Sequence, residues 1–209
     1  MWHETPIRLF LASLVPLALA IPLRALAFPD TSPVTVLFLG PALEESLKLS
    51  GVILALTVAS LAFRGGRDPA LALRYWLFLV PWVVGGLYGM TEGVLGYPGQ
   101  GGLDFTLREA AHATFVALSV GGALWIWRHL DAPFFGIGFG FGAGFSAHLW
   151  FNALAFLSDY ADVTFTDQVA YLALVFVLAV AVLAWEVRQE PASAEARAFL
   201  PAGGRALHP

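Results

Sequence analysis

Long apolar runs separated by short polar connections dominate this chain of 209 residues. Six of the runs reach or exceed the roughly 20 residues that a helix needs to cross the hydrocarbon core of a bilayer. They cover about residues 7–28, 33–63, 73–97, 106–128, 133–157 and 165–187. The pattern predicts an all-α polytopic membrane protein with about six transmembrane helices, forming a single domain over residues 1–188.

The composition agrees with this prediction. Hydrophobic residues make up 58% of the chain and charged residues only 12%, against about 25% in soluble domains. The sequence has no cysteine, which excludes thiol nucleophiles, thiolate metal ligands and disulfides. No basic cluster is large enough to indicate a nucleic-acid partner. We therefore expect an integral membrane protein whose surroundings are the lipid bilayer.

The first two runs need individual interpretation. Arg8 before an apolar stretch and the small residues Ala25 and Ala27 leave open a cleaved signal peptide, although Arg24 favours a retained helix. The second run is too long for one straight crossing of a core about 30 Å thick. Because proline starts helices well and interrupts them badly, Gly40-Pro41 predicts a break there, followed by a new helix.

Basic residues in the connections give the orientation. With a cytoplasmic N-terminus, most arginines fall on the inner side, as the positive-inside rule requires. The inner set is Arg8, Arg64, Arg67, Arg74, Arg128, Arg188, Arg197 and Arg205, and the outer set is Arg24 and Arg108. We expect residence in the cytoplasmic membrane, with both termini cytoplasmic and a disordered tail over residues 189–209.

Three charged residues interrupt the second run within five positions: Glu44, Glu45 and Lys48. Each charge placed centrally in a bilayer costs roughly 2.5–3.5 kcal/mol, so such groups mark functional sites. Lys48 lies four residues after Glu44 and three after Glu45, so it can approach either on one helix face. One lysine neutralises one carboxylate at a time, which leaves the other available as a general base or acid.

Four further polar residues lie inside the predicted spans: Glu92, His112, His148 and Asn152. Under the predicted orientation, all of them fall in the outer half of the bilayer, at the depth of Glu44. We therefore expect four segments to form one site. Taken singly, each residue also has a structural explanation, as an interhelical hydrogen bond or as a partner of Lys48.

Glycines recur at every second position from Gly136 to Gly144. A phosphate-binding loop is disfavoured, because no strand precedes them and they lie within an apolar span. Gly136, Gly140 and Gly144 share one helix face with His148 and Asn152 at four-residue spacing. Small residues on that face allow close approach of another helix, which would bring it against His148 and Asn152.

Two chemistries fit this set of residues. A glutamate can take a proton from water while histidine and asparagine donate hydrogen bonds to an oxyanion, as hydrolysis of a peptide bond requires. Alternatively, two histidines and a glutamate can bind Zn²⁺, for which His112, His148 and Glu45 are candidates. No H-E-x-x-H motif is present. Ser146 and His148 lie about 200° apart around a helix, which disfavours a serine nucleophile paired with that histidine.

Two other classes of protein remain open. A proton-coupled transporter or channel could use the same carboxylates as a relay, although no inverted repeats are visible. A non-catalytic membrane protein could bind a partner helix without turnover.

The ordered set of polar motifs resembles the PrsW family of intramembrane proteases, within the wider group of CAAX proteases and Abi proteins. Two positions depart from the family pattern: Gly93, which follows Glu92, and Ala113-Thr114, which follow His112. The matching motifs are Glu44-Glu45-Ser46-Leu47-Lys48, Glu92 in a helix rich in glycine and aromatic residues, His112, and His148-Leu149-Trp150-Phe151-Asn152.

The resemblance implies a membrane-embedded endopeptidase that cleaves a single-span substrate, such as an anti-sigma factor, from the extracytoplasmic side. Applied to this chain, it implies that Glu44 or Glu45, with Glu44 favoured, activates water while Lys48 neutralises the other carboxylate. His112 would assist proton transfer or bind metal, with Glu92 orienting His112 or Lys48. His148 and Asn152 would stabilise the oxyanion, unless His148 is a second metal ligand.

Overall fold

The computed structural model describes residues 32–63, 69–96, 102–158 and 160–189, together with isolated residues between 11 and 27. Within these ranges every regular element is helical, so the all-α prediction is confirmed. The predicted first span, its alternative as a signal peptide and the tail lie almost entirely outside them. The elements are a π-helical segment Thr35–Leu39 and helices α1 (Gly40–Phe63), α2 (Pro69–Gly96), α3 (Gly102–Leu130), α4 (Pro133–Leu157) and α5 (Phe165–Arg188).

Four of these helices are long and apolar enough to cross a membrane, which marks the chain as a membrane protein. Helix α1, with 24 residues, is of similar length, but it carries Glu44, Glu45 and Lys48 in its first turns. The total of six spans and the orientation of the termini stay predictions. The four spans are Arg74–Val94, Phe105–Leu130, Pro133–Leu157 and Phe165–Arg188.

Helix α3 lies at the centre and packs against each of the other four helices. In its apolar span 67% of the residues are buried, against 22% in the span of α5, which leaves α5 free to face lipid. One apolar core joins α3 to α1, α2 and α5 through residues such as Val52, Val84, Val116 and Leu183. The polar site therefore has an apolar layer beside it that fixes the four helices relative to one another.

A two-residue connection makes α3 and α4 antiparallel neighbours. Asp131 adopts a left-handed conformation with φ of 49°, which aspartate tolerates better than most residues. Pro133 then begins α4 at a position where its missing N–H costs nothing. Because the connection is so short, the glycine-rich face of α4 is laid directly along α3.

Glycines bring the backbones of α2 and α3 into contact. A Cβ added to Gly85 would lie 2.6 Å from the Cα of Ala113, and one added to Gly89 would lie 2.6 Å from the Cα of Glu109. Side chains at either position would hold the helices apart. This close approach places Glu92, one turn after Gly89, beside His112.

The interface between α3 and α4 confirms the packing predicted for the glycine series. Gly136, Gly140 and Gly144 are buried, and a Cβ on Gly136 would lie 2.6 Å from the carbonyl oxygen of Ala123. Gly138 and Gly142 alternate with them and have nothing within 4 Å of the added carbon. The close approach of α4 to α3 therefore requires glycine on the face of Gly136, Gly140 and Gly144, but not on the other face.

Gly140→Ala is expected to lower the free energy of unfolding by about 1–3 kcal/mol, the usual cost of overpacking. The new methyl group would contact the backbone oxygen of Ser119 and lie 2.8 Å from the Cβ of Ala123. Gly138→Ala is the matched control and should stay within about 0.5 kcal/mol. Thermal unfolding in detergent measures both, and equal effects would contradict the proposed role of this face.

The predicted break at Gly40-Pro41 is a change of helical register rather than an interruption of the helix. Gly40 has helical angles, and its N–H donates to the carbonyl of Thr35, five residues earlier. With the same five-residue spacing, the carbonyl of Val36 would accept from the N–H of residue 41. Residue 41 is a proline and has no N–H. Asn152 on α4 supplies that donor, with Nδ2 lying 3.2 Å from the Val36 oxygen. The proline thus explains a polar link between two distant segments.

A buried ion pair lies at the other end of the helix bundle from Glu45 and Lys48. The guanidinium of Arg128 donates to the Glu186 carboxylate at 3.1 Å and also contacts the backbone oxygen of Glu186. Glu186 is fully buried near the end of α5, and Arg128 lies in the last turn of α3. This pair ties α3 to α5 far from Glu45 and Lys48, so we assign it to the fold.

Candidate active site

The seven polar residues singled out by the sequence meet in one place. Helix α1 supplies Glu44, Glu45 and Lys48, and α2 supplies Glu92. Helix α3 supplies His112, and α4 supplies His148 and Asn152. Six of them are at most 9% exposed, and Asn152 is half-buried at their edge. The structure thus brings together Glu44, Glu45, Lys48, Glu92, His112, His148 and Asn152.

Lys48 lies at the centre of the cluster. Its Nζ donates to Glu45 Oε1 at 2.6 Å and to His112 Nδ1 at 2.6 Å. The ammonium also lies 4.6 Å from the centre of the Tyr88 ring, in cation–π range. Sequence reasoning missed Tyr88, although it precedes Glu92 by one helical turn. Lys48 therefore pairs with Glu45, and it is held from three sides.

The hydrogen bonds of His112 define its tautomer. An ammonium can only donate, so Nδ1 of His112 accepts from Lys48. The proton then sits on Nε2, which donates to Glu92 Oε2 at 2.6 Å. Glu92 thus orients His112 rather than Lys48 among the contacts seen here. Both ring nitrogens of His112 are engaged by protein groups.

His148 stands between the two adjacent glutamates. Its Nδ1 donates to Glu45 Oε1 at 2.9 Å, and its Nε2 lies 3.7 Å from Glu44 Oε2, beyond hydrogen-bond range. Phe115 stacks on the imidazole with ring centres 5.2 Å apart. The ring is therefore fixed by Glu45 on one side and by Phe115 on one face, while Nε2 points toward Glu44.

A small cavity of about 140 Å³ opens against this cluster. Glu44 lines it, whereas Glu45 and Lys48 lie behind the lining side chains. Arg108, from the outer set of arginines, also lines it. The remaining lining residues are Val36, Glu92, Ala111, His112, Phe115, His148, Phe151, Asn152, Ala155 and Phe156.

The two adjacent glutamates differ in their position relative to the cavity. The two oxygens of Glu45 face Lys48 and His148 on one side and the interior on the other. Glu44 instead lines the cavity, and its Oε2 lies 3.7 Å from His148 Nε2. Of the two adjacent glutamates, Glu44 is therefore the one that borders the cavity.

Three residues of the cluster lie close enough together to be considered as zinc ligands. Ligand atoms of Glu44, His112 and His148 all lie within 4.8 Å of one another, and two histidines with a glutamate form a known catalytic zinc set. The carboxylate in that group is Glu44 rather than Glu45. The set does not fit a metal as it stands, because His112 has Lys48 on one nitrogen and Glu92 on the other.

No family model, no curated protein and no solved structure matches this chain. What the described residues define is a class: an α-helical membrane protein with a buried cluster of carboxylates, histidines and one lysine beside a small cavity.

Proposed function

We propose that this protein is an intramembrane endopeptidase that hydrolyses a peptide bond of a membrane-anchored, single-span protein, with Glu44 as the general base. The observation that carries the proposal is the unequal placement of the paired glutamates. Glu44 lines the cavity, while Glu45 is held behind it by Lys48 and His148. The resemblance of the motifs to the PrsW family supports the same activity.

The first chemical step uses the cavity face of Glu44. A water bound there gives a proton to the carboxylate while its oxygen attacks the carbonyl carbon of the substrate peptide. The product of this step is a tetrahedral intermediate with a negatively charged oxygen. Protonated Glu44 then returns its proton to the leaving nitrogen as the carbon–nitrogen bond breaks. The balance is one water consumed for one acid and one amine formed.

His148 and Asn152 are the proposed donors to the oxyanion. His148 Nε2 faces Glu44 across 3.7 Å, and it can donate to the oxyanion when both ring nitrogens carry a proton. The amide of Asn152 has two hydrogens, and only one is needed for the Val36 carbonyl. Donors fixed before reaction cost little reorganisation when charge develops.

His112, Lys48 and Glu92 hold these groups in place. They form a hydrogen-bonded chain from Glu92 through His112 to the Lys48 ammonium, which in turn holds Glu45. In this proposal His112 acts as a positioning residue, because neither of its nitrogens is available to water or metal.

The size of the cavity limits how a substrate binds. A volume of about 140 Å³ is well below the 300–1,000 Å³ of typical ligand pockets. It accommodates the scissile carbonyl and one modest side chain, so the rest of the peptide must lie outside it. An extended segment of a single-span protein meets this requirement. The arginine distribution supports attack from the extracytoplasmic side in the cytoplasmic membrane.

Cleavage is expected to continue in the presence of a metal chelator, because the proposed base needs no ion. The measurement is turnover of a fluorogenic single-span substrate by purified protein in detergent, with zinc determined on the same sample. Sub-stoichiometric zinc with full activity supports the mechanism. One zinc per chain that is lost in His148→Ala, together with activity lost in chelator, would replace it with a metal mechanism.

A proton relay is the second candidate, favoured by the unbroken chain of hydrogen bonds from Glu92 to His148 through His112, Lys48 and Glu45. The same purified protein in liposomes separates the two functions. Proton flux driven by a pH gradient, without cleavage of any single-span substrate, would favour transport.

A further inference from the structure

Two buried oxygen atoms behind the cluster lack a hydrogen-bond partner among the described residues: Glu45 Oε2 and Ser119 Oγ. Ser119 lies on α3 and is fully buried, and Glu45 is only 1% exposed. Leaving such a group unpaired costs about 1–3 kcal/mol, and more for a charged one. Both atoms therefore need a partner that the protein positions.

Both oxygen atoms lie beside Gly144 on α4. A Cβ added to Gly144 would contact Ser119 Oγ and would lie 3.3 Å from Glu45 Oε2 and 3.0 Å from the carbonyl oxygen of Phe115. The hydroxyl and the carboxylate thus border one point in space. Their separation is shorter than two hydrogen bonds of about 2.8 Å laid end to end, so one water can join them.

The chemistry of the three oxygens suits a single buried water. The carboxylate and the carbonyl only accept, and the hydroxyl can donate or accept. A water molecule there would donate to Glu45 and Phe115 and accept from Ser119. That makes three partners, the usual number for a buried water in a protein.

We propose that Ser119 is a positioning residue for the active site, acting on Glu45 through one water bound beside Gly144. Oxygen Oε1 of Glu45 is held by Lys48 and His148, and the water holds Oε2, so the carboxylate cannot rotate. A fixed Glu45 keeps Nδ1 of His148 in place and Nε2 directed at Glu44. The catalytic part of this inference rests on the proposed function.

Ser119→Ala tests it with little risk to the fold, because only one oxygen atom is removed. We expect kcat to fall about tenfold, the effect of one hydrogen bond of about 1.4 kcal/mol, with KM unchanged within about twofold. Ser146→Ala is the control, since Ser146 is exposed on α4. A kcat equal to that of the parent would overturn the proposal.

A second readout does not depend on activity. Nitrogen NMR of labelled histidine should show a changed Nδ1 resonance for His148 in Ser119→Ala, with the His112 resonances retained. If the parent protein cleaves no substrate, the proposed function fails, and this spectrum alone decides the role of Ser119. An unchanged His148 resonance overturns the role.

Gly144→Ala gives an independent test, because its methyl group would fill part of the space that borders Ser119 Oγ and Glu45 Oε2. It should reproduce the change at His148, whereas Gly142→Ala, with open space around the added carbon, should not. If Gly144→Ala does not fold, Ser119→Ala remains decisive.

Discussion

Glu44→Gln is expected to reduce the rate of peptide cleavage by about 10²–10⁴-fold, the usual contribution of a general base. The amide has nearly the same shape but cannot take a proton from water. Glu44 is 2% exposed and lines the cavity, so the substitution should leave packing intact. Turnover of a single-span substrate in detergent, together with the unfolding temperature, measures both effects.

The control for this variant is Glu109→Gln. Glu109 is a half-buried carboxylate on α3 that does not line the cavity, and its replacement should leave turnover unchanged. Full activity in Glu44→Gln would remove Glu44 as the base. Loss of activity in both variants would show that the assay responds to charge rather than to the site.

The meeting of four segments at one site could be predicted because depth in a membrane follows from residue count. Each residue advances a helix by about 1.5 Å, so Glu92 late in one span and His112 early in the next fall at similar depth. The sequence does not specify which helices are neighbours. The contact between Glu92 and His112 depends on Gly85 and Gly89, whose close approach to α3 needs the packed structure.

Glu44 was favoured over Glu45 as the base, but local sequence does not determine which of the two lines the cavity. Adjacent residues point about 100° apart around a helix, so the two carboxylates leave α1 in different directions. Which one faces the cavity depends on the rotation of α1 about its axis. Contacts of Glu45 with His148 on α4 fix that rotation, and such contacts between helices are not encoded in local sequence patterns.

One hydrogen bond of Asn152 could not be predicted from the sequence, for a different reason. It was expected as a donor to an oxyanion, yet it also donates to the backbone of Val36. This bond exists because the segment Thr35–Leu39 is π-helical and Pro41 has no N–H. Pro41 was visible as a helix breaker, but hydrophobic periodicity does not distinguish a π-helical turn from an α-helical one.

Lys48→Met is expected to destabilise the protein by about 3–5 kcal/mol, the cost of removing one partner from a buried ion pair. Methionine retains the unbranched shape but not the ammonium that contacts Glu45 and His112. The Glu45 carboxylate would then lose its closest cation, and His112 Nδ1 would lose its donor. Equilibrium unfolding in mixed micelles measures the loss.

The double variant Lys48→Met/Glu45→Gln separates charge from shape. Replacing both members of a buried pair is often close to neutral, so most of the lost stability should return. Cleavage should stay low, because glutamine holds Nδ1 of His148 less strongly than a carboxylate does. If the double variant is as unstable as Lys48→Met, the ammonium acts chiefly on His112 and Tyr88 rather than on Glu45.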